Sequence, residues 1–157
     1  MKKLSLAALL LSSLAISGQA LANTYTITKE KQPNRMLVFS SSGGTNVELF
    51  SILNLDLNHI PYRDKTGVIT GVSYTSASYS NSVDETAELC YHRAYNNNPF
   101  KCIPITPNFS DSVSDFNGLE FKAGITISVR HRVEPTGSFQ FLEPNRNESI
   151  SFTYRTN

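Results

Sequence analysis

Cys90, Cys102, His59, His92 and His131 are the side chains of this 157-residue chain best suited to redox or metal chemistry. Their spacing points away from both. The cysteines do not form the Cys-x-x-Cys arrangement of a redox pair, and two thiols with scattered histidines fall short of a zinc set. An even cysteine count in an oxidising compartment argues instead for one intramolecular disulfide, a structural staple. Closing its loop of about 13 residues restricts the unfolded chain by roughly 3 kcal/mol. His131 lies between Val129 and Val133 on the apolar face of a strand, where a histidine is a satisfied core or rim residue.

Asn54, Asp56 and Asn58 have the alternate spacing of a calcium loop, yet Leu55 and Leu57 between them need burial and no glycine follows at the sharp turn. No serine sits in Gly-x-Ser-x-Gly. Asp84, Glu85 and Glu88 fall in a polar turn region, without the apolar pocket that raises the pKa of a general acid. The reading is of a non-enzyme, with no catalytic residue, metal or cofactor. What remains is an aromatic cluster: Tyr91, Tyr95 and Phe100 surround the asparagine-rich tip YNNNPF, which includes Asn97. Rings that stack and amides that donate and accept suit a sugar or protein surface, or else the rings bury the base of a hairpin.

The elements that must position these residues are strands. Period-2 alternation with β-branched and aromatic residues between turn formers dominates the chain. Residues 24–29 place Tyr25 and Ile27 on one face, and residues 35–39 follow a Pro33-Asn34 breaker. After the SSSGG loop at 40–44, residues 47–58 alternate and predict one long strand, with Val47, Leu49, Leu53, Leu55 and Leu57 sharing a side. Strands are also expected at 68–79, 86–93 and 101–105, the last two forming a hairpin across which Cys90 and Cys102 pair. Residues 104–118 read as a long surface connection. Ile125, Ile127, Val129 and Val133 then line one face, and strands at 138–142 and 148–154 end the chain, the last alternating Ile150, Phe152 and Tyr154. Eight or nine short strands with regular turn signals predict a single-domain, all-β antiparallel sandwich.

Residues 1–22, MKKLSLAALLLSSLAISGQALA, have the form of a cleaved signal peptide: Lys2 and Lys3, an apolar run, then Ala20-Leu21-Ala22. The run is too short for a membrane span of about 20 residues. Its bacterial look implies periplasm, cell surface or exterior, and leaves residues 23–157 as one domain. Removing Lys2 and Lys3 leaves 12 basic against 13 acidic residues. A near-neutral chain without a basic stripe excludes nucleic acid as a partner.

Two segments carry a family resemblance. The arm NTYTITKEKQPN, from Asn23, and the final SISFTYRTN, from Ser149, together resemble subunits of chaperone–usher fimbriae, which are incomplete immunoglobulin-like sandwiches. The resemblance implies an adhesion or structural subunit, with other subunits and a periplasmic chaperone as partners. Tyr25 and Ile27 would insert into a neighbour by β-strand addition, and Ile150, Phe152 and Tyr154 would border the receiving groove. The alternative is a self-complete secreted module, lectin-like or a toxin's receptor-binding part. It would contact a host glycan or protein through the hairpin Tyr91, Tyr95, Asn97 and Phe100.

Overall fold

The chain folds as an all-β sandwich of two antiparallel sheets, in a computed structural model that describes residues 22–156. The expected leader lies outside the described residues except for Ala22. One sheet runs β1 (Thr24–Lys31), β11 (Glu148–Thr156), β4 (Gly67–Thr75) and β7 (Ser110–Val113), with the two-residue β8 (Glu120–Phe121) also on β4. The other runs β10 (Gln140–Leu142), β2 (Met36–Phe39), β3 (Gly43–Ser51), β9 (Thr126–Val133), β5 (Thr86–His92) and β6 (Pro99–Ile105). Between them lies one main core, to which β11 gives Ile150, Phe152 and Tyr154, β9 gives Ile127 and Val129, and β4 gives Ile69 and Val72. A smaller cluster of Met36, Val38, Tyr79, Val133 and Leu142 fills one end.

Alternation reads correctly where only one face is apolar. The outer face of the first sheet is hydroxyl-rich, and its cross-strand pairs bond each other: Thr26 with Thr153, Thr28 with Ser151, Ser73 with Ser112, Thr75 with Ser110. A one-residue slip would push this face into the core, so the pattern pins the register.

Three expectations are corrected. The long strand at 47–58 stops at Ser51, and Asn54–Leu57 forms a 3-10 turn. Asp56 causes this: its carboxylate accepts the Leu53 N–H at 2.7 Å and the Lys29 ammonium at 2.7 Å, a local closure incompatible with extended chain. Within β3 the buried side is also the reverse of the leucine side. Glu48, Phe50 and Ile52 point inward while Val47, Leu49, Leu53 and Leu55 are exposed. Glu48 tolerates burial because Lys31 pairs with it and Asn34 and Asn46 donate to it, which together hold its carboxyl below the usual range against the opposing effect of burial. Lastly, the surface connection at 104–118 contains β7, and its Phe116 is fully buried.

The staple forms as expected. Cys90 and Cys102 are direct partners in the β5–β6 register and are disulfide-bonded, with Cα atoms 4.0 Å apart. Replacing both by alanine is expected to lower the unfolding free energy by about 3 kcal/mol. Urea melts of oxidised wild type against the double variant measure this; an unchanged midpoint would show that the unfolded hairpin is restricted without the bond.

Candidate functional site

Four loops meet at one end of the sandwich, and they bring together exposed rings and cations that are far apart in sequence. The Asn54–Leu57 turn, a second 3-10 turn at Tyr62–Asp64, the β5–β6 hairpin tip and the segment after β8 enclose a groove of about 540 Å³. Its walls include Tyr62, Arg63, Lys65, Tyr95 and Lys122. Tyr62 is 91% exposed and Tyr95 85%, values unusual for rings of this size.

Each wall is held from beneath. Asp64 is buried and takes three ties: Tyr25 O–H donates to its carboxylate at 2.7 Å, the Asn23 amide donates at 3.0 Å, and Tyr154 O–H donates to its carbonyl at 2.8 Å. The first two hydrogen bonds hold the Asp64 carboxyl below the usual range. This anchor fixes Arg63 and Lys65, its neighbours in the chain, at the rim. Tyr95 is positioned differently. Its backbone is left-handed at φ 59, and its N–H donates to the Gly124 carbonyl at 3.1 Å. Gly124, at φ 90, has no Cβ; one would stand 2.7 to 3.0 Å from the tyrosine ring atoms. The ring therefore rests on bare backbone with its other face open. A non-glycine left-handed residue carries a strain of roughly 1–3 kcal/mol, which the surrounding contacts must sustain.

The hairpin residues expected to form one surface divide. Tyr91 is a core side chain, its O–H donating to the Glu120 carbonyl at 2.8 Å, and burial pushes its pKa up to about 12. It cannot contact a ligand. Tyr95, Asn97 and Phe100 are exposed, as a contact surface needs. Phe100 packs edge-on to Tyr91 and carries the Arg93 guanidinium 3.8 Å above its ring centre. The Asn97 carbonyl faces Nδ1 of His92 at 3.1 Å, and the Ser128 hydroxyl faces Nε2 at 3.0 Å. Burial lowers the His92 pKa, so Nδ1 of the neutral ring donates and Nε2 accepts.

Tyr25 and Ile27 lie in the chain's own sheet. β1 pairs with β11 from Thr24 facing Arg155 to Lys31 facing Glu148. Since β4 flanks the other side of β11, Ile150, Phe152 and Tyr154 face the main core from a strand paired on both edges. Tyr154 stacks between Tyr25 and Phe121, at 5.6 and 3.7 Å between ring centres.

The interior holds a polar group that the turn-region reading missed. Glu85 is half-buried with its side chain only 7% exposed, contrary to expectation, and its carboxylate meets Nδ1 of His131 at 2.8 Å. Glu148 meets Nε2 at 2.6 Å. Both ring nitrogens face carboxylates, so both donate only when the ring is protonated. Burial alone would lower the His131 pKa, but these hydrogen bonds and charges outweigh it and raise the value to about 9. With all three side chains enclosed no substrate reaches them, and they tie β9 to β11 across the core. Among the described residues Glu88, Cys90 and Cys102 are the one metal-like cluster, and its sulfurs are spent in the disulfide.

No protein-family model and no curated protein sequence matches the chain. The fold has a solved counterpart. The crystal structure of FLHE aligns over 85% of this chain and 96% of its own, with a TM-score of 0.52 and 14% identity. At that identity the likeness is one of fold alone.

Proposed function

We propose that this chain is an exported, non-catalytic binding module, complete in itself, that contacts a surface glycan or protein through the loop end of its sandwich. The observation that carries the reading is the pairing of β1 with β11 within one chain, which engages the arm in its own sheet. The export rests on residues 1–22. The contact end rests on Tyr62 and Tyr95, rings left exposed on loops that a rigid double sheet holds in place, and on exposed Phe100 at the start of β6. A fimbrial subunit working by strand exchange would instead have to release β1 and its ties to Asp64, Asp56 and Glu48.

Two measurements test the proposal. Light scattering on purified residues 23–157 is expected to give a monomer across a hundredfold concentration range; strand-linked polymers would overturn self-completeness. Capture on an array of bacterial-surface and host glycans and proteins should find partners whose binding weakens at least tenfold in Tyr95→Ala and Phe100→Ala, with thermal midpoints near wild type. Partners bound equally well by both variants would place the contact elsewhere.

A further inference from the structure

Building on the proposed contact end, we infer that the groove between Tyr62 and Tyr95 takes an acidic saccharide, a sugar ring bearing a carboxylate. The lining holds three cationic side chains, Arg63, Lys65 and Lys122, and no carboxylate. The acidic groups nearest in sequence are already engaged. Asp64 accepts from Tyr25 and Asn23 and has the Arg63 guanidinium 3.6 Å away, Asp56 is paired with Lys29, and Glu120 lies 2.8 Å from Lys122. Three cations against Asp64 and Glu120 leave the rim net positive, with Lys65 in no ion pair among the described residues, which favours an anion.

A bare anion would not need the rings. Tyr62 and Tyr95 offer open aromatic faces at the same mouth, and Tyr95 is held there at φ 59 by its seat on Gly124. The apolar C–H face of a pyranose stacks on such a ring, while its hydroxyls find Asn54 and Thr66 in the wall. An extended acidic peptide has the charge without the flat C–H face. The volume, about 540 Å³, lies within the ~300–1,000 Å³ of small-ligand sites and admits a short oligosaccharide.

Titration calorimetry of residues 23–157 with tetragalacturonic acid, maltotetraose and poly-glutamate at physiological salt decides the matter. Tetragalacturonic acid is expected to bind at least tenfold more tightly than the neutral tetrasaccharide and than poly-glutamate. Lys65→Gln with Lys122→Gln should weaken it at least tenfold while leaving maltotetraose within about twofold of its wild-type binding, and Tyr95→Ala should weaken both sugars. Thr75→Ala, on the hydroxyl face, should change nothing, and a thermal melt of each variant checks folding. Equal binding of the two sugars would overturn the charge requirement, and poly-glutamate binding as well as the acidic sugar would overturn the saccharide. No sugar binding, alongside array partners still sensitive to Tyr95→Ala, would overturn this inference while leaving the binding module standing. No sugar binding and no array partner would remove both.

Discussion

Replacing His131 by alanine is expected to destabilise the protein by about 3–5 kcal/mol, because it strands two buried carboxylates without their partner. Glu148 and Glu85 are both enclosed, and each keeps a backbone donor, Ala77 for the first and Tyr79 for the second. Those donors cannot replace the imidazolium charge. The same geometry gives a pH signature. The His131 pKa rises from 6.5 to about 9 on folding, which corresponds to a stabilisation of about 3 kcal/mol. That contribution is complete below the unfolded value of 6.5 and disappears as pH climbs through 9. Thermal unfolding should therefore fall by about 5–10 °C between pH 7 and pH 10. In His131→Gln the overall stability should be lower and this alkaline slope shallower. A variant as stable as wild type, with the same slope, would show that another group titrates.

Deleting residues 23–31 is expected to have the larger effect, more than about 5 kcal/mol, which is the scale of a whole domain's stability. The deletion strips β1 from β11, exposes the core around Ile27, and removes Lys31 from buried Glu48. It also removes Tyr25 and Asn23 from Asp64, so the loop carrying Arg63 and Lys65 loses its anchor. Circular dichroism and gel filtration should find the truncated chain unfolded or aggregated. A synthetic peptide of residues 23–31 should restore it in trans by strand addition. A truncated chain that melts like wild type would mean that β1 is dispensable.

The architecture was legible in the sequence where side chains divide cleanly. β9 and β11 alternate apolar with polar residues, and their buried faces are the ones the pattern names. β3 misleads because both faces carry apolar residues, and a paired glutamate occupies the inner one. Tyr91 and Tyr95 look alike in sequence; only the hairpin geometry sends one into the core and the other to solvent. The groove has no local motif, since residues 62–66, 95 and 122–123 meet only through folding. The sole hint was YRDK at 62–65, an aromatic beside two cations flanking an acid. The enclosure of the Glu85 carboxylate is illegible for a similar reason: its partners His131 and Tyr79 lie on a distant strand and on a loop.

The first and last strands being neighbours also sets an order of events. Asn23 bonds to Thr156, a separation of 133 residues, and among the described residues β1 has no sheet partner besides β11. A ribosome delivers the arm more than a hundred residues before its mate. Until then the emerging polypeptide must carry an unpaired strand and an unsealed core flank. So distant a closure belongs to slow folding, with nucleation elsewhere and the terminal zipper closing last. A partner holding the unpaired arm until its mate arrives would raise the share of chains that reach this form.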